Sequence, residues 1–367
     1  MPALPNQVNG GQLNADRATA TAPVRASILI PTHNRPGTLR LSVASALAQT
    51  VSDIEVIIIG DGVIPATRTM ARRLAREDPR VVFLDLPKGE NHGEVHRDTA
   101  IRSARSDAIF YLCDDDLLMP EHVADLLELL ENGRTFVQSL NGWIDLDGAV
   151  HRYPGSLGSA HSVAWVMDPR WRYNFISLTG TAHSRRFYDE VGQPWSTTPA
   201  DDWPDRHQWR KMLDHPGFSG ATSLRMTALQ FPAAEPTRGG VTVDRQVTDL
   251  SRWAKLIEQP GAQARIDRLV AEGTEAELAH YARTLVLGQF EAEQAAARLE
   301  DARIAAEAQA AELSRVTQQL HDTTTAAQAH AQAQAEEIGR LWQWHEDVQK
   351  TMSWRITRPL RAIRRRF

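Results

Sequence analysis

The stretch IFYLCDDDLLMPEHV (residues 109–123) places three consecutive carboxylates, Asp114, Asp115 and Asp116, directly after an apolar run. The run is typical of a buried strand, and Pro120 indicates that a helix begins nearby. One acid would be enough to cap that helix. Three adjacent acids repel one another, and a divalent cation would compensate their charge. Helix capping and the binding of a metal or substrate both stay open on this stretch alone.

The chain around this stretch alternates between β-branched runs and helical patterns from about Ala26 to Leu130. This alternation predicts an α/β fold with a parallel sheet. Ligands bind at the carboxyl ends of the strands in such sheets. Three polar motifs fall at those ends: PTHNR at 31–35, GDG at 60–62 and DDD at 114–116. Their shared position predicts one ligand site at this edge of the sheet.

The composition narrows the classes of protein to consider. The chain has 367 residues, of which 42% are hydrophobic, and a net charge of −5. Such a chain can bury at least one full core, and its net charge does not favour nucleic acid as a partner. Cys113 is the single cysteine, which excludes an internal disulfide framework and a Cys-based zinc cluster and fits a reducing compartment. No apolar run approaches the length of a membrane span, so we expect a cytoplasmic protein.

The part of the chain from about Thr135 to Pro236 shows a mixed pattern that is rich in tryptophan. Six of the ten tryptophans lie there: Trp143, Trp165, Trp171, Trp195, Trp203 and Trp209. A buried tryptophan fills a core, whereas an exposed one offers a flat apolar face on which a sugar can stack. Both interpretations stay open for each of these residues.

Two segments together resemble a known enzyme family. SILIPTHNRPGTLRLSVASALAQTVSDIEVIIIGDG (27–62), followed by AIRSARSDAIFYLCDDDLLMPEHV (100–123), resembles the nucleotide-sugar half of a family 2 glycosyltransferase with the GT-A fold. The resemblance covers roughly Ala26 to Met212. The chain departs from the family pattern at three positions, where it carries Gly60 and Cys113 in place of acids and Asp98 in place of asparagine.

The resemblance implies a nucleotide-binding α/β/α domain with a mostly parallel central sheet, followed by long C-terminal helices. It also implies the residues of a nucleotide-sugar site. The nucleobase and ribose pocket would be lined by Pro31, Thr32, His33 and Arg35, and Asp61 would accept a hydrogen bond from the base. Arg97 would contact the nucleotide sugar, and Asp114 would contact the ribose or a metal-bound water.

Asp115 would contact the metal directly, according to the same resemblance. A nucleoside diphosphate gains negative charge as it leaves the sugar, and a hard cation stabilises that charge. Ligands that are all oxygen suit Mg²⁺ or Mn²⁺, for which the Cys113 sulfur is a poor ligand. Asp116 would support the site from behind or cap the following helix.

A downstream pair of segments resembles the acceptor half of the family: TGTAHSRRFYDEVG (179–192) and ADDWPDRHQWRKM (200–212). A carboxylate there would take the proton from the acceptor hydroxyl, and direct displacement would invert the configuration at the sugar. Asp202 is the best positional match for this base, and Asp201 is its alternative. Either residue would otherwise cap the helix that follows Pro204.

The pattern divides the chain into a leader (1–25), a GT-A domain (26–236), a helical region (248–352) and a basic tail (353–367). The GT-A domain has a nucleotide-sugar half at 26–133 and an acceptor half at 134–236. The leader has no apolar signal core and is expected to be disordered. The implied activity is that of a metal-dependent, inverting, hexosyltransferase-like enzyme. It would act on a glycan or lipid-linked acceptor in the synthesis of cell-surface polysaccharide or glycoconjugate.

The helical region repeats apolar residues at three- and four-residue steps, which predicts a weak coiled coil and self-association. A single solvated helix is the alternative. The chain ends in SWRITRPLRAIRRRF (353–367), in which basic and apolar residues alternate without an acid. This pattern predicts peripheral contact with the inner face of an anionic membrane, and a solvated basic end or a nucleic-acid patch are the alternatives.

Two other functions stay open at this stage. A nucleotidyltransferase on a similar scaffold would want a basic, glycine-rich loop near the first strand, which the chain supplies poorly at 31–37. A degenerate transferase domain that presents a coiled coil as a scaffold would explain Gly60 and Cys113. The retained acids at Asp61, Asp114 and Asp115 favour the enzyme instead.

Overall fold

The computed structural model describes residues 23–234, 241–305 and 310–364. Most of the leader and the last three residues of the basic tail lie outside this range. Contacts within the chain divide it into two compact units, Met1–Ala271 and Glu272–Phe367. The domain boundaries drawn from the sequence stay predictions.

The first half of the larger unit alternates strands and helices as the sequence predicts. Its strands are β1 (Ala26–Thr32), β2 (Ile54–Asp61), β3 (Val81–Leu86) and β4 (Ala108–Tyr111). Between them lie α1 (Pro36–Leu47), α2 (Pro65–Glu77) and α3 (Val95–Ser103). Proline stands in the first turn of α1 and of α2, where its fixed φ suits a helix start.

The second half of this unit contributes shorter elements. Its strands are β5 (Leu117–Leu118), β6 (Phe136–Gln138), β7 (Gly142–Ile144), β8 (Val150–Arg152), β9 (Thr181–Ser184), β10 (Gly220–Thr222) and β11 (Ala228–Leu229). Its helices are α4 (His122–Glu131), α5 (Ala160–Met167), α6 (Arg185–Val191) and α7 (Pro204–Leu213). Two separate antiparallel pairs, β5 with β11 and β7 with β8, lie outside the main sheet.

The main sheet has seven strands in the order β10-β6-β9-β4-β1-β2-β3. Strands β1, β2, β3 and β4 run parallel, and only β9 runs antiparallel to its neighbours β4 and β6. The mixed α/β fold with a mostly parallel sheet is therefore confirmed. Because β1 lies between β2 and β4, the residues that follow these three strands meet at one edge.

Alternate residues of the strands face opposite sides of the sheet and build two cores. On one side, Ile28, Ile30 and Val56 pack with Leu39 of α1 and Leu126 of α4. On the other side, Leu29, Ile57 and Tyr111 pack with Ile101 of α3, Trp195 and Trp209. Helices therefore cover both faces, as parallel sheets require.

Three helices follow: α8 (Val243–Ile257), α9 (Ala262–Ala305) and α10 (Ala310–Arg364). The long C-terminal helical region is confirmed, and its first helix, α8, begins at Val243. Leu250, Trp253 and Ile257 of α8 are buried, so α8 packs within the larger unit instead of extending as a solvated helix. None of the described helices combines the length and apolarity that crossing a membrane requires.

Candidate functional site

Asp114 is held by two side chains from the end of the first strand. Thr32 Oγ1 donates to Asp114 Oδ2 at 2.7 Å, and Arg35 Nη1 donates to Asp114 Oδ1 at 3.1 Å. Thr32 ends β1, Asp114 follows β4, and the two strands are parallel neighbours. The sheet therefore brings together two motifs that lie about eighty residues apart in sequence.

Asp115 shares the Arg35 guanidinium with Asp114. Arg35 Nη1 lies 2.6 Å from Asp115 Oδ2, and Gln246 Nε2 of α8 donates to the same oxygen at 3.1 Å. Asp114 and Asp115 are each only 6% exposed. Arg35, predicted to line the nucleobase and ribose pocket, thus lies against the acidic pair in this structure.

Both carboxylate oxygens of Asp116 accept hydrogen bonds from other parts of the protein. Its Oδ2 accepts from Thr179 Oγ1 at 2.5 Å, and its Oδ1 accepts from the backbone N–H of Phe231 at 3.0 Å. Helix α4 begins at His122 after Glu121, and no side chain caps it. The capping alternative is therefore wrong for all three acids, because the chain forms β5 before the helix starts.

Burial dominates the protonation of these acids. It raises the pKa of Asp114, and the Arg35 charge offsets part of that rise. Burial and the neighbouring Asp115 charge raise the pKa of Asp116 well above its usual range. Burial alone would lower the pKa of Arg35, but the Asp115 and Asp114 carboxylates raise it above its ordinary value. These raised pKa values mean that burial disfavours the charged carboxylates, and a cation bound beside them would offset that cost.

Cys113, Asp115 and Asp116 offer ligand atoms that all lie within 4.8 Å of one another. The two carboxylates fit Mg²⁺ or Mn²⁺ in their chemistry, whereas the sulfur does not. Burial raises the pKa of the Cys113 thiol further, which keeps it protonated. The residues present therefore fit a hard cation through Asp115, with Cys113 beside the site as a neutral neighbour.

Asp61 ends β2 and is enclosed by the loop that follows β3. Lys88 Nζ lies 2.6 Å from Asp61 Oδ2, and the backbone N–H of Gly89 donates to Oδ1 at 2.6 Å. Burial would raise the pKa of Asp61, but the hydrogen bonds from Lys88 and Gly89 hold it below its usual value. A Cβ on Gly93, at φ +62°, would lie 2.5 Å from Asp61 Cγ, so the loop needs glycine there.

Gly60, one of the departures from the family pattern, has a packing reason. A Cβ at this position would lie 2.8 Å from the ring of Phe83 on the adjacent strand β3. The aromatic ring occupies the space of the missing side chain. Near the same edge, the exposed His33 contacts the Asp61 carbonyl through Nδ1 at 2.6 Å.

Arg97 is buried on α3 and stacks on Trp195, with its guanidinium carbon 4.7 Å from the ring centroid. Its Nε and Nη1 have no hydrogen-bond partner among the described residues. Glu94, one turn earlier, is fully buried, and its Oε1 is unpartnered within the same part of the chain. A buried cation with unmet donors suits an anionic or hydroxyl-rich ligand.

Asp202 lies before α7 in an ion pair. Its Oδ1 accepts from Arg206 Nη1 at 2.8 Å and from the Trp203 N–H at 2.8 Å. Burial would raise the pKa of Asp202, but the hydrogen bonds from Arg206 and from the Trp203 N–H, together with the nearby positive charge, outweigh burial and lower it. The N-cap of α7 is Trp203, without a side-chain cap, so neither Asp202 nor the exposed Asp201 caps this helix.

Asp205, in the first turn of α7, is a candidate that sequence reasoning missed. Burial raises its pKa, while Arg97 and a hydrogen bond from the Leu178 backbone oppose that rise. Its charge also raises the pKa of the Cys113 thiol, though less than the charges of Asp116 and Asp115 do. In the sequence, Asp205 stands directly after Pro204, but the Asp201-Asp202 pair just before it is the better match to the family pattern.

Residues 27–168 match the model of Glycosyl transferase family 2, which includes β1, β2, β4 and the acidic cluster. This part of the chain is a family 2 glycosyltransferase domain. The predicted family is therefore confirmed.

The family 2 domain is similar to several known proteins. It is 35% identical over 96 residues to the succinoglycan biosynthesis protein ExoA of Rhizobium meliloti, covering 26% of this chain and 28% of the relative. It is 32% identical over 126 residues to the chondroitin synthase of Pasteurella multocida, covering 34% of this chain and 13% of the relative. The chain thus spans less than a third of the length of either relative.

A solved structure with a similar arrangement is that of S. aureus TarS 1–349 in complex with UDP-GlcNAc. The identity is 13%, the TM-score is 0.45, and the likeness covers 68% of this chain and 70% of that one.

The tryptophans of the family 2 domain divide between its core and its surface. Trp195 and Trp209 are fully buried and pack with Tyr111. Trp171 and Trp203 are 58% and 45% exposed and lie next to the Asp202 loop, where Arg206 donates to the Trp171 carbonyl. The core interpretation therefore holds for the first pair. Trp171 is the more exposed of the second pair, and the Arg172 guanidinium carbon lies 5.5 Å from the centroid of the Trp203 ring.

Proposed function

We propose that this protein transfers a sugar from a nucleoside-diphosphate sugar to a hydroxyl acceptor with inversion of configuration. The observation that carries the proposal is the buried acidic cluster at the carboxyl edge of β1, β2 and β4 in a family 2 domain. Asp114 and Asp115 lie there with Arg35 between them. The activity is that of a metal-dependent, hexosyltransferase-like enzyme.

Asp115 would hold Mg²⁺ or Mn²⁺ on the donor side. A cation bound there supplies the positive charge that stabilises a leaving diphosphate. Arg35 adds a fixed positive charge next to the same carboxylates, and the unmet donors of Arg97 suit phosphate or sugar oxygens. These residues orient the donor and exclude water from its anionic part, because their groups are largely buried.

Asp61 would accept a hydrogen bond from the nucleobase once the Lys88 ammonium moves away from the Asp61 carboxylate. In this structure the Lys88 ammonium and the Gly89 N–H occupy both Asp61 oxygens. Donor binding would therefore exchange an internal partner for the base. Pro31, Thr32 and His33 stay proposed neighbours of the nucleoside.

The base that takes the acceptor proton would be a carboxylate at the start of α7. Asp202 is the candidate from sequence, with Asp201 as its alternative, and Asp205 is the candidate from structure. We favour Asp205, because its carboxyl accepts a hydrogen bond from the backbone of Leu178, the neighbour of the Thr179 that holds Asp116, whereas Asp202 is paired with Arg206. A base with a raised pKa also accepts a proton more readily.

The acceptor would be a glycan or a lipid-linked glycan in the assembly of cell-surface polysaccharide or glycoconjugate. Exposed Trp171 and Trp203 offer stacking faces near the proposed base. The protein would be cytoplasmic, with peripheral contact to the inner face of the membrane through the basic tail. Side chains of this tail lie outside the described residues.

Self-association through the C-terminal helices completes the proposal. Helix α9 carries four large apolar side chains that are 49–62% exposed: Tyr281, Val286, Leu287 and Phe290. Exposed apolar side chains at helical spacing suit a second helix. A second copy of the chain is the partner we propose.

The test is calorimetry of the full chain with a panel of nucleoside-diphosphate sugars, with and without Mn²⁺, followed by transfer assays with the best donor. We expect one donor to bind in a Mn²⁺-dependent manner and Asp115→Asn to abolish that dependence. Asp147→Asn, the same change at an exposed turn acid, is the matched control and should bind as the parent does. Failure of every donor to bind, or full Mn²⁺-dependent binding by Asp115→Asn, would overturn the proposal.

A further inference from the structure

Gln246 reaches the acidic cluster from a helix that the family match does not include. It lies on α8, 131 residues after Asp115, and is 4% exposed. Its Nε2 donates to Asp115 Oδ2 at 3.1 Å and to the Pro232 carbonyl at 3.2 Å. Both partners are acceptors, so they define which end of the amide faces Asp115.

Helix α8 holds this side chain firmly in place. Leu250, Trp253 and Ile257, on the later turns of the helix, are buried in the larger unit. Thr242 caps the helix start by accepting from the Arg245 N–H. Val247 packs so closely on α1 that a Cβ on Gly37 would lie 2.8 Å from its Cγ2. Gln246 therefore approaches Asp115 from a rigid element.

The segment between the sheet and α8 is tied to the same cluster. The Phe231 N–H donates to Asp116 Oδ1, and the next residue, Pro232, accepts from Gln246. The two acids that offer ligand atoms to a cation, Asp115 and Asp116, thus each receive a hydrogen bond from beyond residue 230. The C-terminal part of the larger unit therefore donates hydrogen bonds to the acidic cluster from segments that lie outside the family match.

We propose that Gln246 is a positioning residue for Asp115, and that it raises the affinity of the site for a divalent cation. This inference rests on the proposed function, in which Asp115 binds the metal. Arg35 and Gln246 both hold Oδ2, so together they set the orientation of the carboxylate. Hydrogen-bond partners behind a metal ligand fix its geometry, and their loss costs about 10- to 100-fold in metal affinity.

Binding of Mn²⁺ alone to the full chain, measured by calorimetry, tests the role. Gln246→Met keeps the volume of the side chain but removes the donor, and we expect it to weaken Mn²⁺ binding about tenfold. Gln259→Ala removes an exposed glutamine just after the same helix and should leave the affinity unchanged. Melting temperatures confirm folding. If Gln246→Met does not fold, Gln246→Asn, one methylene too short to reach Asp115, carries the same expectation.

A double-mutant cycle separates positioning from mere structural support. In an Asp115→Glu background, which keeps a carboxylate for Mn²⁺ but displaces it from the Gln246 amide, Gln246→Met should cause no further loss of Mn²⁺ affinity, because the residue acts through Asp115. Parental Mn²⁺ affinity in Gln246→Met, or a loss that persists in the Asp115→Glu background, overturns the inference and leaves the proposed function intact. A parent chain that binds no Mn²⁺ overturns both this inference and the metal dependence in the proposed function.

Discussion

Which carboxylate at the start of α7 acts as the base is open to a direct test with Asp205→Asn and Asp202→Asn. Each change keeps the shape of the side chain and removes its ability to take a proton. A general base contributes about 10²- to 10⁴-fold to the rate, so we expect Asp205→Asn to lower kcat by that factor. Donor affinity should stay unchanged in both variants, because the base acts on the acceptor.

The pH dependence of kcat/KM distinguishes the two residues independently. A base works only when deprotonated, so activity falls as pH drops through its pKa. Burial raises the pKa of Asp205 above its ordinary 3.8, whereas the Arg206 bond lowers the pKa of Asp202 below that value. An acid limb above 3.8 therefore indicates Asp205, and one below it indicates Asp202.

Arg206 provides a third criterion, with a magnitude from the structure. Arg206 Nη1 lies 2.8 Å from Asp202 Oδ1, and the two side chains are 6% and 15% exposed. A hydrogen bond to a charged group contributes about 1.5–3 kcal/mol, equivalent to roughly one to two pKa units. Arg206→Gln should move the acid limb upward by that amount if Asp202 is the base, and leave it in place if Asp205 is.

The assay is transfer from the donor identified by calorimetry, over a pH series, with melting temperatures for each variant. Full activity in Asp205→Asn together with a large loss in Asp202→Asn would refute our choice and restore the base predicted from sequence. Full activity in both variants would remove the proton acceptor from α7 altogether.

Three further outcomes are expected. Asp61→Asn should reduce the free energy of unfolding by about 1 kcal/mol at neutral pH, as measured by denaturant titration. Because the pKa of Asp61 is depressed in the folded protein, this difference from the parent should vanish as the pH falls through that pKa. A chain truncated after Ala271 should sediment as a smaller assembly than the full chain, and a monomeric full chain would contradict this. Deletion of the residues after Ser353 should abolish salt-sensitive binding to anionic vesicles, to which each basic residue contributes about 1 kcal/mol; equal binding of the full chain to neutral vesicles would exclude the idea.

Much of the fold was predictable from local patterns. Strands β1, β2 and β4 were recognisable as continuous apolar, β-branched runs. Strands of a parallel sheet have this pattern because helices cover both faces of the sheet. The acidic cluster also lay where the rule for parallel sheets places ligands. The packing of α8 within the larger unit was not predictable in the same way. An amphipathic pattern indicates that a helix has an apolar face, but not which element that face will contact.

The candidate site shows the same division. The sequence by itself placed Thr32, Asp61 and Asp114 at the carboxyl ends of strands in a parallel sheet. The strand order, with β1 between β2 and β4, came only from the structure. Only the tertiary structure decided that Arg35 bridges Asp114 and Asp115, that Lys88 occupies Asp61, and that Gln246 holds Asp115. It also placed Asp202 in an ion pair with Arg206. Hydrogen-bond partners and protonation states depend on burial and on contacts between segments that are distant in sequence. The spacing of neighbouring residues does not predict either of them.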